Sequence, residues 1–119
     1  MTYDDIEKGL RTSFIYIENA KNAVKIRKDF EKAKKEFKTA YQEIFQLMGI
    51  LKKSKIIYPD LDKTYNELLV LHDKTLFNAI KNIHNLSEKK LEAICQIIEK
   101  ILTKEIVRTE KLKEKKVAA

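Results

Sequence analysis

Glycine and proline are almost missing from this chain, two Gly and one Pro in 119 residues. Strand-joining turns depend on both, so their scarcity sets hairpin-rich folds aside and favours helices. Cysteine is reduced to Cys95 alone, which excludes an intrachain disulfide framework and fits a reducing compartment. No apolar run approaches the roughly 18 residues that a membrane span needs. The opening "MTYDDIEKGL" is acidic and periodic instead of a basic lead into an apolar core, so no signal peptide is expected. Together these absences lead us to expect a cytoplasmic protein with no membrane-spanning segment.

Charged side chains make up 36% of the residues, and the formal net charge is +7. Basic character comes from lysine, since Arg11, Arg27 and Arg108 are the only arginines. A Lys/Glu-rich composition poor in Gln and Cys resembles that of heat-adapted proteins, although AT-rich coding sequence produces the same bias. Net charge licenses an expectation of solubility and of attraction to polyanions, and says nothing of fold.

Apolar residues recur every three or four positions, the period of a helix with one buried face. A first seam runs Ile6, Leu10, Phe14, Ile17, Ala20, Val24, and opens at Thr2 and Asp5, which have capping-box spacing. A second runs Ile26, Phe30, Ala33, Phe37, Ala40, Ile44, Leu47, Leu51. The phase jumps between Val24 and Ile26, so a helix break is expected there, with Asn19 and Asn22 as capping candidates and the second helix starting near Ala23. The alternative is one rod of about 50 residues.

Gly49, Lys52, Lys53, Pro59 and Asp60 mark the clearest interruption, a helix end followed by a new cap. A third helix carries Leu61, Tyr65, Leu68, His72, Leu76, Ile80 and Ile83 on one side. Asn85 and Ser87 introduce the last, with Leu91, Ile94, Ile98 and Leu102. The expected fold is therefore all-α, an antiparallel up-and-down bundle of about four amphipathic helices spanning residues 1–107. Residues 108–119 read as a basic tail that frays for want of apolar partners.

Residues 21–38, "KNAVKIRKDFEKAKKEFK", hold eight basic residues against three acidic. Lys25, Lys28, Lys32 and Lys35 form a stripe away from the Phe30/Phe37 seam, where the solvated side of a bundle helix belongs. With Lys52 and Lys53, and with Arg108, Lys111, Lys113, Lys115 and Lys116 in the tail, the same residues make up a candidate polyanion-binding set. Interleaved Asp29, Glu31 and Glu36 and the lack of stacking aromatics weigh toward the solvated face.

Catalytic and metal constellations are not found. His72 and His84 are twelve residues apart on one expected helix, too far to share an ion. The Glu-x-x-His pattern of di-iron bundles does not occur. Cys95 sits among isoleucines, as an inert buried thiol does. Neither a phosphate loop nor a nucleophile elbow is present, so no enzyme, cofactor or small-molecule substrate is expected. Ile56, Ile57 and Tyr58, between lysines, read either as a lid over the bundle end or as an apolar anchor for a partner. Helix one is apolar over more than one face at Phe14, Ile15, Tyr16 and Ile17, and helix three at Leu68 to Leu71. That surplus leads us to expect a protein–protein interaction or assembly subunit, self-associating, with nucleic-acid binding as the alternative partner class and membrane attachment through the tail disfavoured.

Overall fold

In the computed structural model, which describes residues 3–54 and 59–118, every regular element is helical. α1 (Tyr3–Arg27) and α2 (Phe30–Ser54) are separated by two residues. A 3-10 turn (Pro59–Leu61) leads into α3 (Asp62–Val70), a π-helical stretch (Leu71–Leu76) and α4 (Phe77–Lys81). These run as one continuous rod, since the linking residues Leu71, Leu76 and Phe77 keep right-handed helical dihedrals. After a second 3-10 turn (Ile83–Asn85), α5 (Glu88–Ala118) closes the chain. Four helical rods thus pack into a compact globule of 49 × 22 × 18 Å.

The first helix break falls at Lys28 and Asp29, five residues beyond the expected start of helix two near Ala23. Lys28 adopts the left-handed conformation, φ 53°. Its N–H donates to the Val24 carbonyl at 3.0 Å, which satisfies an end group of α1 in the manner of an αL cap. Asp29 then starts α2: its Oδ1 accepts the Lys32 N–H at 3.0 Å and its carbonyl the Ala33 N–H at 3.2 Å. Asn19 and Asn22 lie exposed inside α1, and Ile26 is 74% exposed instead of opening the second seam. At the α5 start, Ser87 caps as expected, its Oγ accepting the Lys90 N–H at 3.2 Å.

Gly49 does not end a helix. α2 passes through it to Ser54. Gly9 has the opposite character, because a Cβ there would collide with the Leu47 side chain. The missing side chain lets α1 and α2 approach closely.

The core follows the periodic seams. Ile6, Leu10, Ile17, Phe37, Ala40, Ile44, Leu51, Leu68, Leu76, Ile83, Cys95, Ile98 and Leu102 are fully buried. Each of the larger aliphatic side chains contributes about 1.5–3 kcal/mol by leaving water. From Leu68 through His72 to Leu76 the seam advances four residues at a time, which on an ideal α-helix drifts off the contact line. The π-helical turn at 71–76 underwinds the rod where that drift would accumulate.

Cross-helix pairs set the order of packing. Asp4 pairs with Lys113, Arg11 with Glu110, Lys21 with Glu99 at 3.0 Å and Lys25 with Glu92 at 3.9 Å. Tyr41 of α2 stacks on His72 with ring centroids 3.7 Å apart, and Glu31 meets His84 at 2.9 Å. Glu67 of α3 meets Lys104 of α5 at 3.2 Å. Within the α1–α5 pairs and the α2 pairs alike, the partner's number falls as the first number rises. The segment expected to fray is helical to Ala118: Thr109 is buried, Leu112 packs on the core, and the pairs of Glu110 and Lys113 tie it to α1.

Candidate interaction surfaces

Two surfaces stand out, one apolar and one basic. The apolar one is a cleft of about 430 Å³ between α1 and α5, lined by Phe14, Ile15, Thr103, Ile106 and Val107 with Arg11 and Glu110 at its rim. It exists because Ile15 and Val107 project outward beside the seams that bury Ile17 and Ile106. Ile15 remains 54% exposed and Val107 41%. Further exposed apolar side chains are Ile26, Phe45, Val70, Phe77 and Ile97.

The candidate polyanion set does not form one stripe. Lys25 lies on α1, Lys28 in the corner, and Lys32 and Lys35 on α2, so the four wrap around the α1–α2 corner instead of lining helix two. All four are exposed. The Glu31–His84 and Lys25–Glu92 contacts bring the Ile83–Asn85 turn and the start of α5 to this same end, adding Lys81, Lys89 and Lys90. Beside the corner, Asn19, Asn22, Ile26, Arg27, Lys32 and Glu36 line a cleft of about 280 Å³ together with Ala23.

Lys52, Lys53, Arg108, Lys111, Lys113 and Lys115 belong to the opposite end, where α2 and α5 finish. Two of these charges are already matched: Lys113 by Asp4 and Arg108 by Glu105, whose Oε1 lies 3.3 Å from the arginine Nε. Ile56, Ile57 and Tyr58 lie outside the described residues, as does the side chain of Lys116.

The interior holds three titratable groups worth weighing. His72 is 6% exposed, with Nδ1 2.8 Å from Asp73 Oδ1 and its ring against Tyr41. Cys95 is fully buried, and burial pushes its thiol up to about 12, so the reactive thiolate is scarce at neutral pH. Glu105 on α5 is fully buried beside Thr64 of α3. Burial raises the pKa of its carboxyl, and the Thr64 hydroxyl and the Arg108 guanidinium pull the other way. Periodicity assigns most carboxylates to polar faces and does not single this one out. Glu105 stands three residues after Leu102 and seven after Ile98, a spacing that continues their apolar stripe, and this was the available signal. Among the described residues no group of three or more His, Cys, Asp or Glu side chains is placed to hold a metal ion. Among the same residues, no helix is long and apolar enough to cross a membrane.

Comparison with known protein families, with curated proteins and with solved structures gives no match.

Proposed function

We propose that the four rods form an antiparallel up-and-down bundle that works as a non-catalytic assembly subunit in the cytoplasm, pairing with a second copy of itself through the α1–α5 cleft. The observation that carries this reading is the cleft itself, a groove with Ile15 and Val107 half exposed at its mouth. Apolar side chains gathered in a groove between two helices gain by leaving water together, at about 25 cal/mol per Å². Its rim carries one charge of each sign, Arg11 and Glu110. Arg11 and Glu110 pair with each other at that rim, so a second copy placed on a two-fold axis meets a neutral edge around the apolar groove. The α1–α5 pairing also leaves both bundle ends free for further contacts.

Light scattering tests the reading. The wild-type chain is expected at twice its 14.0 kDa mass at micromolar concentration. Ile15→Asp and Val107→Asp each put a charge into the groove and are expected to give monomers. Both positions are exposed, so the fold of each monomer survives and circular dichroism remains that of the wild type. Wild-type protein that stays at 14.0 kDa removes the reading.

A further inference from the structure

We propose that the corner end of the molecule docks the phosphate backbone of nucleic acid without reading base sequence. This rests on the placement of charge and is independent of the α1–α5 pairing. Residues 21–38 carry eight bases and three acids. Residues 81–90, brought to the same end, add three lysines and one glutamate. The two segments together carry +7, and Glu92 and Glu99, which pair with Lys25 and Lys21, bring the net charge of this end to +5. Four rods alternating in direction cancel one another's macrodipoles, and the field at this end therefore comes from side chains.

The charges are also available. Arg27, Lys28, Lys32 and Lys35 are exposed, and among the described residues none of them forms an ion pair within 4.0 Å. Lys25 reaches Glu92 only at 3.9 Å with its side chain 61% exposed. In cross-section the molecule measures 22 × 18 Å, enough to span several phosphates along a nucleic-acid backbone.

The chemistry chooses the partner. Lysine ammonium groups act as point charges toward phosphate, and a surface with one arginine lacks the planar forks that read guanine edges. Toward this end the exposed large apolar side chains are Ile26 on α1 and Phe77 on α4, fewer than the broad apolar face by which an interfacial helix enters a bilayer.

Fluorescence anisotropy with a labelled 20-nucleotide single strand and the matching duplex, of arbitrary sequence, tests the proposal on the full chain. Binding is expected at 50 mM salt and falls on the order of a hundredfold by 200 mM if about four phosphates are contacted. A corner variant combining Lys25→Gln, Lys28→Gln, Lys32→Gln and Lys35→Gln loses tenfold or more. A matched variant with Lys52→Gln, Lys53→Gln, Lys111→Gln and Lys115→Gln removes the same charge from the other end and stays within about twofold of wild type, beyond the general field effect. Both variants change exposed positions, and circular dichroism confirms that each is folded. Equal losses in the two variants overturn the proposal. So does the absence of binding by wild type at 50 mM salt, or binding to vesicles containing phosphatidylserine without binding to either oligonucleotide.

Discussion

Where α1 starts and α5 finishes, basic side chains meet acids: Lys113 faces Asp4, Arg11 faces Glu110, and Arg108 lies against the buried Glu105. Gly9 lets Leu47 in so closely that a methyl group would collide with it. At the other end Lys28 holds a left-handed backbone conformation, and Arg27, Lys28, Lys32 and Lys35 stand in solvent. One end has three of its basic side chains matched by acids and its helices close together, with Lys52, Lys53, Lys111 and Lys115 left in solvent, while the other gathers like charge on a two-residue corner. Mutual repulsion among those basic side chains costs stability.

The largest test of this contrast is Gly9→Val. It places bulk into the space occupied by Leu47 and is expected to destabilise the protein by about 2 kcal/mol. Urea unfolding measures it, and an unchanged midpoint means that the matched end is not tightly packed. At the corner the expected sign is opposite. Lys28→Gly relieves a left-handed L-residue and removes one repelling charge, so stability rises by up to about 1 kcal/mol. A loss there shows that the lysine side chain holds the corner together.

A smaller effect separates the ends by pH. The pKa of the Glu105 carboxyl is raised in the folded protein, chiefly by burial, above its ordinary value of 4.5. The folded state therefore binds more protons than the unfolded one just above that value. The stabilising contribution is complete below about pH 4.5 and is lost as pH climbs through the folded-state pKa. Melting temperatures from pH 4 to 8 are expected to show a decline that Glu105→Gln flattens. Parallel profiles for the two proteins count against a strained carboxylate at this end.

Much of the fold was legible because burial follows period. Ile6, Leu10, Ile17 and Val24 mark one face of α1, and Phe37, Ala40, Ile44, Leu47 and Leu51 mark one face of α2, all as the spacing implied. Boundaries were harder to read. The phase jump after Val24 announced a corner, but the residue that turns it is a lysine, a type with no special affinity for positive φ. Gly49 misled in the other direction, since an exposed glycine inside a helix is tolerated when packing on either side holds the helix.

The last helix shows why tails are difficult. Its partners, Asp4 and Arg11, lie about a hundred residues away in sequence, and nothing local to Arg108 reveals them. The surfaces were half visible. An apolar surplus at Phe14 to Ile17 pointed to Ile15, while Val107 became its neighbour only once α5 lay along α1. Similarly, the lysines of residues 21–38 were apparent, but their gathering with Lys81, Lys89 and Lys90 at one end is a property of the fold.

Coverage of the α1–α5 cleft by a second copy is read from the melting temperature as a function of protein concentration. Burial of the cleft between two copies links folding to association, so the melting temperature is expected to rise between 1 and 100 µM, on the order of several degrees, and Ile15→Asp to abolish the rise. A wild-type melting temperature that is the same at both concentrations means that no second copy covers the cleft.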